Sequence, residues 1–162
     1  MFNGTAYHPG TGTLYVGMSD HCAFYTKNAA IKPSGGSVVK DFSQQPKGWI
    51  TAMDGETGEV LWQYPAESQV LAGLVPTKSG LLFAGDTHGN LLALDTQSGA
   101  VLHRLDVKGA LNSGLISYQV DGMQYVAATV GGATENPSTV AGPLRVSIFG
   151  LQESERLTSR TG

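Results

Sequence analysis

A 15-residue stretch of this chain occurs twice, 41 positions apart, and this internal repeat limits the fold more than any other feature. Residues 48–62 read GWITAMDGETGEVLW, and residues 89–103 read GNLLALDTQSGAVLH. A repeat of this period is typical of a propeller or a solenoid, in which each unit buries its apolar face against its neighbours. Six positions are identical in the two copies, namely Gly48/Gly89, Ala52/Ala93, Asp54/Asp95, Gly58/Gly99, Val60/Val101 and Leu61/Leu102.

One strand of the repeat occurs three times. It reads GTLYVG from Gly12, GLLFAG from Gly80 and GMQYVA from Gly122, and a turn precedes each copy. The second and third copies are 42 residues apart, but the first and second are 68 apart, so the first unit holds 26 more residues. These lie between His21 and Lys47, where no repeat pattern is visible.

Short strand-like segments dominate the sequence. They are apolar or alternate between apolar and polar residues, and Gly, Asp, Ser or Thr bounds them, which favours strands. No segment keeps the apolar period of a helix over an ordinary helix length. The predicted strands are Gly4–His8, Thr13–Met18, Trp49–Met53 and Val60–Tyr64 in the first unit, Gly73–Val75, Leu81–Gly85, Leu91–Leu94 and Val101–Leu105 in the second, and Gly114–Gln119, Gln124–Thr129 and Leu144–Phe149 in the third.

These units define one predicted domain at residues 1–151, followed by a polar tail at 152–162 that is predicted to be disordered. The third unit has no predicted fourth strand. Since a propeller needs roughly four to eight blades, and open sheet edges invite association, we expect the chain to associate with missing N-terminal blades or with itself. The blades are predicted at residues 4–65 with an insert at 22–47, at 70–106 and at 111–151.

Composition and charge exclude several functions. Ten basic and thirteen acidic residues give a net charge of −3 without a Lys/Arg cluster, so nucleic acid is not expected as a partner. No run of 18 apolar residues is present, so no membrane span is predicted. The first residues lack the basic and apolar regions of a signal peptide. The single Cys22 excludes an internal disulfide and a cysteine-based metal cluster.

The repeated Asp-x-x-x-Gly step has a local structural reason. Asp54 can accept hydrogen bonds from backbone N–H groups in a turn, and Gly58 can take a positive φ at its end. Trp62 is predicted to lie on the outer strand and to pack on the neighbouring blade. The segment from Asp86 to Asn90 aligns with a hairpin turn of the repeat and lacks the ligand spacing of a calcium loop. All of these residues are therefore interpreted as structural.

The pattern Ala-x-Asp-x-x-Thr-Gly-x-x-x-Trp, from Ala52 to Trp62, resembles the tryptophan-docking motif of quinoprotein alcohol dehydrogenases. Similar segments extend the resemblance over residues 4 to about 151, in the order of that family's C-terminal portion. The resemblance implies an all-β fold, a partial β-propeller of about two and three-quarter four-stranded antiparallel blades with tryptophan-docking-type repeats. It also implies that the intact relative is periplasmic and oxidises an alcohol with pyrroloquinoline quinone (PQQ) and calcium.

The resemblance assigns no catalytic residue to this chain. The family's catalytic aspartate, calcium ligands and adjacent cysteines belong to N-terminal blades that the sequence does not contain. No residue is therefore predicted to be catalytic or to bind a metal, and the isolated chain is expected to be inactive. In the second repeat, His103 stands at the position of the docking tryptophan, which weakens one contact between blades.

Two regions correspond to places where the family contacts its quinone. Ser19 and Asp20 lie in a loop that often supplies a polar residue to the quinone edge, and Leu71 takes the place of a tryptophan that commonly stacks under the ring. Leu71 lacks that stacking surface, and the loop at 131–137 has no aromatic residue, so this chain need not bind PQQ by itself. The candidates for cofactor contact by family position are Ser19, Asp20, Leu71 and Ala72.

Two functions from different classes follow from these observations. The first is a segment of a PQQ-dependent dehydrogenase, which the order of the family's segments favours. The second is a non-catalytic propeller-repeat module that binds proteins through blade edges or top loops, or that assembles into a ring. The substituted pocket positions Ser19, Leu71 and Ala133 favour the second function.

Overall fold

The computed structural model describes residues 4–20, 22–27, 36–40, 46–132 and 140–150. Within these residues the chain forms thirteen strands and no helix. The strands are β1 Ala6–His8, β2 Thr13–Asp20, β3 Ala23–Lys27, β4 Gly36–Lys40, β5 Lys47–Asp54, β6 Val60–Ala66, β7 Val75–Pro76, β8 Leu81–Gly85, β9 Asn90–Asp95, β10 Val101–Asp106, β11 Leu115–Val120, β12 Met123–Gly132 and β13 Gly142–Gly150.

The strands form three sheets and one hairpin. Sheet 1 has the order β1-β2-β5-β6, sheet 2 the order β7-β8-β9-β10, and sheet 3 the order β11-β12-β13. Neighbouring strands are antiparallel in every sheet. Strands β3 and β4 pair with each other as a separate hairpin. The predicted all-β class with antiparallel, propeller-type units is confirmed.

The structure differs from the sequence prediction at three places. Ser19 and Asp20, which are predicted in a loop, end β2 and pair with Gly48 and Lys47 of β5, and β12 likewise extends into the predicted 131–137 loop as far as Gly132. The innermost strand of sheet 2, β7, is two residues long, whereas the sequence predicts a strand at Gly73–Val75. Gly73 donates its N–H to the carbonyl of Ser113 at 3.1 Å, which ties it to the next connecting segment rather than to β8. The β3–β4 hairpin lies inside the 22–47 insert, where the sequence pattern predicts no strand.

Sheet 2 lies between the other two sheets. Its strands β8 and β9 are largely buried on both faces, whereas all six residues of β10 are exposed. Because successive side chains of a strand point to opposite faces, Leu82 and Ala84 of β8 pack in a first core with sheet 1, whereas Phe83 packs in a second core with sheet 3. The same alternation along β9 places Leu92 in the first core and Leu91 in the second. The three sheets therefore stack face to face, and β7 contacts both β1 and β11 along the inner side.

The two copies of the Asp-x-x-x-Gly step form the same turn. The Asp54 carboxylate accepts two backbone N–H groups at 2.9 and 2.7 Å, and the Asp95 carboxylate accepts the equivalent pair at 3.1 and 2.8 Å. Gly58 and Gly99 complete the turns with φ angles of 75° and 71°. The predicted role of these residues as turn formers is confirmed.

Trp62 of β6 closes the interface between sheets 1 and 2. Its indole ring lies on the backbone of Gly99, where a Cβ atom would come within 2.5 Å of the ring. Its Nε1–H donates to the Thr96 carbonyl at 3.0 Å, and the buried Tyr15 hydroxyl donates to the same carbonyl at 3.2 Å. Burial raises the pKa of Tyr15, which keeps this donor protonated. One carbonyl of sheet 2 thus receives two side-chain donors from sheet 1.

The interface between sheets 2 and 3 lacks both of these donors. Phe83 takes the repeat position of Tyr15 and has no hydroxyl group, and the exposed His103 takes the position of Trp62. A cavity of about 530 Å³ lies beside these residues, with mostly apolar walls. The second interface therefore keeps a buried core but closes less completely than the first.

Alanine substitutions at the two turn glycines test the contact with Trp62. Gly58 and Gly99 have similar positive φ angles, but a Cβ at Gly58 would meet nothing within 4 Å, whereas a Cβ at Gly99 would meet the indole ring. We expect Gly58→Ala to lower the free energy of unfolding by about 1 kcal/mol, the cost of a left-handed backbone. Gly99→Ala should lower it by about 3 kcal/mol, since overpacking adds to that cost. Urea denaturation followed by circular dichroism measures both values.

The Trp62→Ala background provides the control for this comparison. Without the indole ring, only the backbone cost remains, so the two glycine variants should differ by about 0.5 kcal/mol or less. A difference that persists in this background would contradict a collision with Trp62 as its cause.

The stabilising contribution of the Asp54 carboxylate should be lost at acidic pH. Hydrogen bonds from the backbone of Thr57 and Glu56 hold the pKa of Asp54 below its ordinary value of 3.8. A lowered native pKa means that the carboxylate contributes stability above the unfolded-state pKa and loses it as the pH falls through the native pKa. Asp54→Asn should therefore weaken the decline of the urea midpoint below about pH 4. Glu56→Gln, which removes one charge from the same turn, should leave the decline unchanged.

Candidate cofactor-contact site

The predicted contact residues belong to one end of the sheets, which we call the connector end. It comprises the ends of β2, β8 and β12, the starts of β5, β9 and β13, and the connectors 67–74 and 107–114, which link consecutive sheets. The turns of Asp54 and Asp95 lie at the opposite end. Antiparallel pairing produces this separation, because consecutive strands run in opposite directions.

The first connector is held closely against sheet 1. Gln69 Nε2 donates a hydrogen bond to Ser19 Oγ at 2.5 Å. A Cβ at Gly48 would come within 2.2 Å of the Ser68 carbonyl oxygen, so only glycine lets the connector approach β5 this closely. Gly89, the repeat equivalent of Gly48, makes the same kind of approach to the second connector. The repeated glycine therefore places both connectors.

The loop between β8 and β9 contains a buried carboxylate. Asp86 is 2% exposed, and it accepts hydrogen bonds from the backbone N–H of His88 at 3.0 Å and of Asn90 at 2.9 Å. The Asn90 side chain donates a further hydrogen bond at 2.8 Å. The His88 N–H also donates to Ser68 Oγ of the first connector. The interpretation of this segment as a turn is confirmed, and the carboxylate is satisfied within its own loop.

Main-chain hydrogen bonds join each connector to the following sheet, the first to the β8–β9 loop and the second to the end of β12. The Thr87 N–H donates to the Gln69 carbonyl at 3.0 Å, and the Gly131 N–H donates to the Ala110 carbonyl at 2.9 Å. Gln69 and Ala110 are 41 positions apart, the same offset as the sequence repeat. Backbone groups therefore hold the connectors in equivalent positions whatever side chain each one carries.

The four predicted contact residues differ in exposure. Ser19 is half-buried and Asp20 is exposed at the end of β2, and Leu71 is half-buried in the first connector. Ala72 is 1% exposed and packs in the second core. The hydrogen bond between Ser19 and Gln69 brings the first of these residues to the connector that carries Leu71. Contact with a cofactor stays a prediction for all four. In the predicted contact loops, His21 and residues 133–137, which include Ala133, lie outside the described residues.

The described part of the connector end offers hydrogen-bonding and aliphatic groups. Across the described ranges, no group of three or more His, Cys, Asp or Glu residues is placed to hold a metal ion. Ser19 and Gln69 offer a hydrogen-bonding edge, and Leu71 offers an aliphatic surface beside it. Sequence reasoning did not identify Gln69 as the partner of Ser19, although the repeated glycine Gly48 was a signal that the connector approaches this edge closely.

The stacked antiparallel sheets, with connectors at one end and tight turns at the other, define a propeller-type repeat protein. The PQQ_2 family model, described as outer membrane protein assembly factor BamB, matches residues 46–139, more than half of the chain. The chain belongs to this family of repeats.

Known relatives are quinoprotein dehydrogenases. The chain is 30% identical over 138 residues to the quinoprotein ethanol dehydrogenase of Pseudomonas aeruginosa. It is 29% identical over 136 residues to the quinoprotein alcohol dehydrogenase PedE of Pseudomonas putida. Each match covers 80% of this chain, and the chain spans 22% of the length of these relatives. The identification of a quinoprotein alcohol dehydrogenase-like propeller from the sequence is confirmed.

Solved structures agree with this fold. The quinohemoprotein alcohol dehydrogenase from Comamonas testosteroni matches with a TM-score of 0.72 at 20% identity, over 91% of this chain and 25% of that chain. A europium-containing methanol dehydrogenase matches with a TM-score of 0.66 at 27% identity, over 80% of this chain and 24% of that chain. Among the described residues, no helix is long and apolar enough to span a membrane.

Proposed function

We propose that this chain acts as a segment of a PQQ-dependent alcohol dehydrogenase-like propeller. The observation that carries the proposal is its similarity, along 80% of the chain, to proteins named as quinoprotein alcohol and ethanol dehydrogenases. In such a protein the quinone supplies the redox chemistry, and the protein binds and orients it. Residues outside this chain would hold most of the quinone and its calcium ion, and the protein would be periplasmic, as its resemblance to the family implies.

On this proposal, the connector end is the part of the chain that meets the quinone. Ser19, fixed by the hydrogen bond from Gln69, would face the polar edge of the cofactor, and the exposed Asp20 at the end of β2 is the second polar candidate by family position. Leu71 would lie against the face of the ring, with the buried Ala72 supporting it from the core. Trp62 and Gly99 would serve as one docking contact of the larger ring of blades.

A chimera tests this proposal. The region of the Pseudomonas aeruginosa ethanol dehydrogenase that matches this chain would be replaced by the chain's own residues. Ethanol oxidation that depends on PQQ and calcium is then measured by reduction of an electron-accepting dye. We expect activity in the chimera and none in the isolated chain, because the catalytic groups lie outside it. A chimera that folds, by circular dichroism and mass, but neither binds PQQ nor oxidises ethanol would contradict the proposal.

The same chimera measures the contact at Leu71. Leu71→Trp should strengthen PQQ binding about fivefold, the equivalent of ~1 kcal/mol of ring stacking. Leu61→Trp is the matched control, because Leu61 is an aliphatic residue of β6 that is 53% exposed and lies near the turn end. An equal effect of the two substitutions would remove Leu71 from the cofactor site.

The second candidate function is a non-catalytic repeat module that binds other proteins. The description of the matching family, an outer membrane protein assembly factor, supports it, as does the aliphatic Leu71 in place of an aromatic residue. A chimera that folds without binding PQQ would favour this function over the dehydrogenase.

A further inference from the structure

The cavity of about 530 Å³ between sheets 2 and 3 has the size and the walls of a site for a small apolar molecule. Its volume lies within the range of ~300–1,000 Å³ that is typical of small-molecule sites. Among its lining residues, the exposed His103 is the only one with an ionisable side chain. The rings of Phe83 and Phe149 and the side chains of Leu105 and Val126 contribute to its walls. Such a space disfavours a charged occupant.

The internal repeat shows which group occupies the equivalent space in the first interface. In sheet 1, a row of cross-strand partners consists of Tyr15, Ala52 and Trp62. The Trp62 ring packs against the first core, and its centroid lies 5.9 Å from that of the Tyr15 ring. Ala52, between these two residues in the row, carries only a methyl group. An aromatic ring from sheet 1 therefore fills the space beside this row.

The equivalent row in sheet 2 lacks the indole ring. It consists of Phe83, Ala93 and His103, and all three residues line the cavity. His103 has a smaller ring than tryptophan, and it is exposed. The space that the Trp62 ring fills in the first interface is therefore part of the cavity in the second.

The wall that faces this row is equivalent in the two interfaces. Ala84 and Val126 are 42 positions apart, the offset between the second and third copies of the repeated strand. Each has a cross-strand partner on the next strand of its sheet, Leu92 for Ala84 and Phe149 for Val126. Ala84 and Leu92 pack in the first core, and Val126 and Phe149 contribute in the same way to the second. Both walls of the cavity are thus present.

We propose that this cavity binds an uncharged, planar aromatic molecule about the size of indole, with its ring beside Phe83 and over Ala93. The bound ring would be stabilised by burial of its apolar surface and by contacts with the rings of Phe83 and Phe149. Apolar cavities of only ~150 Å³ can bind benzene. No residue of the two connectors lines the cavity, so this binding goes beyond the proposed function and does not depend on it.

Titration of the whole chain with 5-fluoroindole, followed by fluorine NMR, tests this proposal. We expect saturable binding with a dissociation constant below about 1 mM. His103→Trp should weaken it by about tenfold or more, because an indole ring attached to β10 would occupy the same closely packed space.

Two variants provide the controls for His103→Trp. His103→Ala removes the imidazole without filling the cavity, so binding should stay within about twofold of that of the unchanged chain. Ile116→Trp adds an indole ring at a position that is 58% exposed and does not line the cavity, and it should also leave binding unchanged. Circular dichroism verifies that all three variants fold.

A pair of competing ligands tests whether the cavity selects an aromatic ring. 2-Naphthol and its saturated analogue decahydro-2-naphthol have the same carbon framework and the same hydroxyl group, but only 2-naphthol is flat and aromatic. We expect 2-naphthol to displace 5-fluoroindole about fivefold more effectively, the equivalent of ~1 kcal/mol of contact with the phenylalanine rings.

Three results overturn the proposal: no saturable binding of 5-fluoroindole, equal effects of His103→Trp and either control variant, or equal displacement by the two competing ligands. The cavity and the proposed function fail separately. Selective binding with an inactive chimera keeps the aromatic site and removes the dehydrogenase function. An active chimera without binding of 5-fluoroindole by the chain keeps the dehydrogenase function and removes the aromatic site.

Discussion

The contact of the Trp62 ring with the Gly99 backbone determines how two sheets of this chain can stack. The turn that receives the ring must present a residue without a side chain and, three positions earlier, the Thr96 carbonyl that accepts the indole and Tyr15 donors. Asp95 ties that turn from within. Because each unit buries its apolar faces against its neighbours, the geometry of this turn sets how closely sheets 1 and 2 can approach.

A comparison of the two interfaces shows that different interactions stack the sheets and close the space between them. The second core forms although Phe83 and His103 replace the hydroxyl and indole donors of the first interface. Burial of apolar area is therefore sufficient to stack sheet 3 on sheet 2. The cavity lies at the outer side of this interface, where His103 replaces an indole ring and the described residues of sheet 3 include no fourth strand. Local aromatic contacts thus set the completeness of an interface rather than its existence.

The sequence predicts the parts of this structure whose causes are local or periodic. Asp54 and Gly58 form their turn within a few residues, and the 41-residue repeat of short apolar segments predicts stacked antiparallel units. The β3–β4 hairpin escapes prediction because its segment has no counterpart in the other units. The hydrogen bond from Gln69 to Ser19 joins residues 50 positions apart, and no local pattern encodes such a pair. The candidate site was therefore predicted by family position, while its internal contacts required the fold.

The main-chain bonds at the connector end have an evolutionary consequence. Gln69 and Ala110 occupy the same place in successive units and accept the same type of backbone hydrogen bond, although one side chain is a polar amide and the other a methyl group. The backbone shape of the connector end is thus independent of the chemistry of its side chains. A side chain at this end can therefore be exchanged without loss of the main-chain hydrogen bonds that hold the connectors in place.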